Sequence, residues 1–250
     1  ASYKKDKTLI KFLNFGGHEI TYQAWNGIDS QILEDDRTYN PSGFYLDLEG
    51  NSQFHENEVD NYKQDHYQFH WTQSINSKIF SNLGLNLTNG EGYYEQYNEN
   101  GNEDFITRKW LDNQFRVVNY NLNYKGTKND IILGSTYSEY DGDHFGETIW
   151  AQNSGDIEFT DRFYNGRGLK KDFSNFFKSI FQVSKKINIY TDLQLRKISY
   201  ITSGSTSNVS DLTVNKKYSF FNPKAGLNFQ KDSKNRFYFS VARAFREPTR

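Results

Sequence analysis

Two histidines stand four residues apart in "HYQFH", His66 and His70. On a helix that spacing would aim both rings at one metal ion. In extended chain the pair shares a face but sits about 13 Å apart at ~3.3 Å per residue, too far for a common ion. His18 in "HEITY" lacks the second histidine of a zinc-protease helix. The acidic groups Asp141 and Asp143, and Glu34, Asp35 and Asp36, lack the glycine-to-glutamate spacing of an EF-hand loop and read as solvated loop acids. A carboxylate pair is also the equipment of a glycosidase, but every long connecting stretch supplies Asp or Glu, so no pair is singled out. "NGRGLKK" (165–171) has glycines but no lysine-hydroxyl ending to cradle a phosphate. These patterns name no catalytic residue, no cofactor site, no cofactor and no metal ligand.

What remains is chemistry that holds a ligand without transforming it. His144, Trp150, Phe159, Arg162, Phe163, Tyr164 and Arg167 gather within one stretch. A guanidinium pairs bidentately with carboxylates, and an aromatic face stacks on a flat group or a cation. Of these, His144, Trp150, Arg162, Phe163, Tyr164 and Arg167 are the ligand-contact candidates, placed in a loop.

The elements that position them are strands. Aromatic residues make up 17% of the 250 residues, while methionine is absent, a balance that favours strand over helix. In "INIYTDLQLRK" (187–197), Ile187, Ile189, Leu193 and Leu195 alternate with Asn188, Asp192, Gln194 and Arg196. Similar runs lie near 8–15, 67–75, 80–88, 115–124, 131–140, 173–183, 218–230 and from 237 onward, about nine strands in all. Each approaches the ~9–11 residues of a tilted strand that crosses a bilayer.

The mean hydropathy of -0.87, with no run of ~18 apolar residues, excludes a helical membrane protein but not a barrel, whose strands are apolar on alternate positions only. A net charge of -1 with scattered lysine pairs gives no nucleic-acid footprint. Absence of cysteine excludes disulfides and thiolate metal sites. The start at Ala1, without methionine or an apolar signal core, reads as an internal or processed segment.

Short and long connections alternate along the chain. "NSKI", "KGTKND", "SKK" and "KDSKNR" are tight polar turns, whereas 16–65, 89–114, 141–172 and 202–217 read as long loops. In an antiparallel meander all turns of one kind emerge at one end, the asymmetry of outer-membrane barrels with short periplasmic turns and long extracellular loops. Tyr93, Tyr94, Tyr97, Tyr137, Tyr140 and Tyr200 fall near the loop ends, where an interfacial girdle would place them.

"GGHEITYQAWNGI" (16–28), "RTYNPSG" (37–43), "DNYKQDHYQFHW" (60–71), "NGEGYYEQY" (89–97), "FNPKAGLNF" (221–229) and "FYFSVARAFREPT" (237–249) follow one another in an order that resembles the barrel of TonB-dependent outer-membrane receptors. The wording is nearest to receptors for iron chelates. The resemblance implies an all-β, antiparallel transmembrane barrel segment over 1–250, part of a 22-stranded barrel whose plug and C-terminal strands lie outside this chain. It further implies import, without enzymatic chemistry, of a siderophore or haem across the outer membrane of a Gram-negative bacterium. Its partners would be the iron chelate, the TonB complex reached through the plug, and outer-membrane lipid, with no nucleic acid. Vitamin B12 and oligosaccharide remain alternative cargoes. A soluble secreted β-sandwich that binds or hydrolyses carbohydrate, and a passive porin, remain alternative classes.

Overall fold

Alternation commits the chain to strands because residues i and i+2 share a face, so one face can be apolar while the other is wet. A computed structural model describes residues 1–100, 103–153, 155, 159 and 161–248. Its elements, in chain order, are β1 (Ser2–Lys5), β2 (Thr8–Tyr22), α1 (Ser30–Asp35), β3 (Phe44–Leu46), β4 (Ser52–Phe54), β5 (Val59–Ser74), β6 (Ile79–Asn98), β7 (Phe105–Lys125), β8 (Asn129–Ala151), β9 (Arg162–Gln182), β10 (Ile187–Gly204), β11 (Val214–Gln230) and β12 (Arg236–Ala242). Ten of the strands form one antiparallel sheet in the order β1-β2-β5-β6-β7-β8-β9-β10-β11-β12, and β3 pairs with β4 separately. The tenth strand, β1, escapes sequence reading because it has only four residues, two of them lysine.

The strands are also longer than alternation suggests: β6, β7, β8 and β9 run for 20, 21, 23 and 21 residues. The long loops expected at 89–114, 141–172 and 202–217 therefore shrink to 99–104, 152–161 and 205–213. In their upper halves polar and aromatic residues occupy both faces, so the hydrogen-bonded ladder continues after the hydropathic alternation has stopped. The 16–65 connection keeps most of its length, carrying α1 and the β3-β4 hairpin. Positions 101–102 of the expected 89–114 loop, 154, 156–158 and 160 of the expected 141–172 loop, and Thr249 of the closing motif lie outside the described residues. Short turns at 6–7, 75–78, 126–128, 183–186 and 231–235 still alternate with the longer connections. In the last of them, Asp232 closes the turn by accepting from the backbone N–H groups of Lys234 and Asn235 at 2.9 and 2.8 Å.

Register places like with like. Leu122 stands opposite Leu133, Leu133 opposite Phe177, Phe177 opposite Leu193, and Leu193 opposite Pro223. Along the strands this face continues through Tyr120, Leu195, Phe221 and Phe239, and it is open: Leu133, Leu195 and Phe239 are 51%, 58% and 69% exposed. One residue along, the opposite face carries the row Lys178, Asp192, Lys224. Nearby amides and hydroxyls pair there too: Thr72 donates to Asn82, Asn82 to Asn121, and Gln194 to Ser174.

Ile198 is the one fully buried hydrophobic side chain among the described residues, so the sheet does not enclose a dry core. Among the described residues, apart from β3 against β4, substantial packing between elements runs only between neighbouring strands of the sheet. A two-sheet sandwich is thereby excluded. No helix of the described residues is long and apolar enough to cross a membrane.

The apolar face ends in a charged row. Glu139 takes Arg116 at 2.9 Å and Lys171 at 3.4 Å, and Tyr137, the last aromatic of the band, donates to the same carboxylate at 2.8 Å. Further up, buried Glu95 anchors the 23–58 excursion to the sheet. Its carboxylate receives Nε and Nη2 of Arg108 at 3.0 and 2.9 Å and lies 2.8 Å from His55 Nε2, while buried Gln23 donates to its carbonyl at 2.8 Å. Charge-assisted pairs of this kind are worth ~1.5–3 kcal/mol each, and Arg108 would lose its partner with them. Glu95→Ala is expected to raise amide hydrogen exchange of residues 44–55 by at least ~10-fold while leaving β6 and β7 protected. Unchanged exchange in the hairpin would show that Glu95 does not hold it.

Candidate ligand cavity

Strand alternation divides the six candidate residues between two faces. His144 and Tyr164 project from the polar face, because Gly166 and Gly146 are their respective cross-strand partners on that face. Arg167 lies on the opposite side, where Nε and Nη2 pair with Asp141 at 2.8 and 2.7 Å. Arg162 is on the same side as Arg167, its guanidinium 3.5 Å from the centroid of the Phe145 ring. Phe163 stands at the irregularity where the β8-β9 register shifts, and its ring meets Tyr164 edge-on at 5.2 Å. Burial pushes the Tyr164 phenol up to about 12, so it stays protonated. All six belong to paired strand and none to a loop.

Trp150 belongs to a separate concavity of about 550 Å³ beneath the β3-β4 hairpin, shared with Tyr45, Leu46, His55, Tyr97 and Asp104. Tyr45 stacks on Tyr97 at 4.1 Å, and Tyr97 donates its hydroxyl to Asp104 at 2.8 Å. Burial first, and the adjacent Asp104 carboxylate second, hold that phenol well above its ordinary value. In the hairpin turn Asp47 accepts from Gln53 Nε2 and from the Asn51 backbone, which holds its carboxyl below the usual range.

The cavity that gathers the most ligand-holding chemistry is on the polar face. Tyr140 stands opposite Lys170, and Lys170 opposite Tyr200, so β8, β9 and β10 present a phenol, an ammonium and a phenol in one row. Arg196 and Tyr218 adjoin them from β10 and β11, and His144 closes the upper side. Gly142 leaves room for the Tyr140 phenol, which a Cβ at that position would displace. The chain beyond β12 completes the wall. Residues 243–248 cross the polar face, with Arg243 N donating to Pro223 O at 3.0 Å and Phe245 N to Asn222 Oδ1 at 2.7 Å. That crossing brings Arg246, Glu247 and Pro248 to the cavity, whose volume is about 650 Å³.

Tyr140 and Tyr200, expected in an interfacial girdle, thus line the cavity, while Tyr137 does sit at the edge of the apolar band. Lys170, Arg196, Arg246 and Glu247 were not singled out by sequence. His66 and His70 serve the polar network, with Thr88, Gln64 and Gln68 as partners, and no group of metal-ligating residues is found among the described residues. The cavity can therefore seat an anionic, flat or ring-bearing ligand on cations and phenols.

No family model and no curated protein sequence matches the chain. Solved structures do. The ferric citrate transporter FecA in its unliganded form superposes with a TM-score of 0.67 at 8% identity, over 96% of this chain and 34% of its own. The siderophore receptor PiuA from Acinetobacter baumannii gives 0.65 at 12%, over 94% and 39%. The open form of the ferric-catecholate import receptor Fiu from E. coli K12 gives 0.59 at 12%, over 94% and 44%. This chain spans less than half the length of each. The single meandering sheet, apolar on one face and polar on the other, and its superposition on these three structures give one result: the chain has the fold of a segment of the barrel wall of TonB-dependent receptors.

Proposed function

We propose that the chain forms part of the wall of an outer-membrane receptor that imports an iron chelate. The observation that carries this reading is the cavity on the polar face, where Tyr140, Tyr200 and Tyr218 surround Lys170 and Arg196 on the side of the long connections. A ferric siderophore offers complementary chemistry: anionic oxygens for the cations and flat rings or carboxylates for the phenols and guanidinium. The three solved structures described above are named for ferric citrate, a ferric catecholate and a siderophore, which supports the same cargo. Neither vitamin B12 nor a neutral oligosaccharide offers a carboxylate to Lys170 and Arg196.

On this reading the apolar face turns to lipid and the ladder satisfies every backbone group inside the bilayer. The polar face turns to the lumen, to be filled by a plug outside this chain, through which the TonB complex would act. The protein performs no covalent step. Transport assays on the full-length protein test it: a strain deleted for the gene and complemented with the wild type is expected to take up radioiron as an anionic ferric chelate, and to lose that uptake on Lys170→Ala/Tyr200→Ala substitution. Equal uptake by the deleted and complemented strains across ferric catecholate, citrate and haem would overturn the proposal.

A further inference from the structure

The cavity on the polar face already holds an anion, and it is the protein's own. Glu247 pairs through Oε1 with Lys170 Nζ, while Arg196 donates Nη1 to Oε2 at 3.0 Å and Nη2 to Oε1 at 3.2 Å. The other edge of the same guanidinium holds Asp172, through Nε at 2.8 Å and through Nη2. Glu247 therefore presents to Lys170 and Arg196 the two carboxylate oxygens that an incoming anionic ligand would otherwise present.

We propose that Glu247 occupies the seat of the ligand's anionic group and sets the class of ligand admitted: a chelate with two or more anionic groups displaces it, and a neutral chelate does not. This rests on the receptor reading given above. A tethered carboxylate competes at an effective concentration of about millimolar or more. A ligand with one anionic group exchanges one pair for its equal and gains nothing against that tether. A second anionic group finds Arg246, a cation of the same wall. Only the tip of the segment is released by the exchange. Arg243 and Phe245 stay clamped to Pro223 and to Asn222, which also donates Nδ2 to Phe245 O at 3.2 Å.

Docked Glu247 lowers the fraction of binding-competent cavities, so its removal tightens apparent affinity by the inverse of that fraction. In full-length protein, Glu247→Gln is expected to lower the Kd for ferric citrate by about tenfold and to leave the Kd for a neutral ferric trihydroxamate unchanged. Equal shifts for both probes, or none for ferric citrate, would overturn the proposal. Glu247→Ala serves as the second variant and is expected to behave alike. The chain has no cysteine, so a spin label at Pro248→Cys or Ala244→Cys reports the segment directly. Iron-free citrate is expected to mobilise the label at 248 and not the label at 244, and an immobile 248 at saturating citrate would overturn the proposal. If no chelate binds either protein, the receptor reading fails, and the spin-label result alone decides the role of Glu247.

Discussion

Leu133→Arg is expected to cost about 2–4 kcal/mol of stability in a bilayer, whereas Thr136→Arg, three residues along the same strand, costs no more than ~1 kcal/mol. The difference comes from period two. Leu133 stands between Leu122 and Phe177 on the apolar face and is half exposed there. On the receptor reading, a guanidinium at that position has only hydrocarbon to receive it. Thr136 projects from the other face, where its hydroxyl donates to Asn119 at 2.8 Å, so an arginine there loses one ordinary hydrogen bond and gains water. The row Lys178, Asp192, Lys224 already shows that this face carries charge opposite the band. Urea titration of full-length protein refolded into lipid vesicles, read by the heat-modifiable shift on a gel, measures both variants. Equal costs would mean that neither face meets lipid, and the barrel reading would fall with them.

That asymmetry is the part of the fold most legible in sequence. Runs such as 187–197 and 221–229 need only a count of alternate positions to show which residues share the apolar side. The upper halves of the strands are a different matter. In "NGEGYYEQYN" (89–98) both faces are wet or aromatic, and a ladder between two wet faces leaves no hydropathic trace. The site was partly recoverable. Reflecting the sequence through the tight 183–186 turn pairs Lys170 with Tyr200, and would have brought the two together before any coordinates. No such reflection works across 152–161, where the connection is long and the ladder shifts register between Gly146 and Glu147. His144 and Arg167 fall in one stretch of sequence, and the pleat sends them to opposite faces. Glu247 was further out of reach, since it arrives by a segment that leaves the ladder after Ala242 and crosses three strands.

Arg196→Ala is expected to weaken binding of an anionic ferric chelate by roughly 30- to 300-fold, and Arg196→Lys to recover only part of the loss. The planar guanidinium serves two carboxylates from two edges, Asp172 on one and Glu247 on the other. A lysine ammonium is a point charge and reaches one of them. After truncation, Asp172 remains at the cavity without its bidentate partner, and an approaching anion meets uncompensated negative charge where it met a cation. The effect is opposite in sign to that of Glu247→Gln, and the two are not independent because the side chains touch. In a double-mutant cycle the gain from Glu247→Gln is expected to shrink when Arg196 is already alanine, leaving an interaction free energy of about 1 kcal/mol. Additive values would mean that Glu247 acts through Lys170 alone. Isothermal titration of ferric citrate into the four full-length proteins separates the two outcomes.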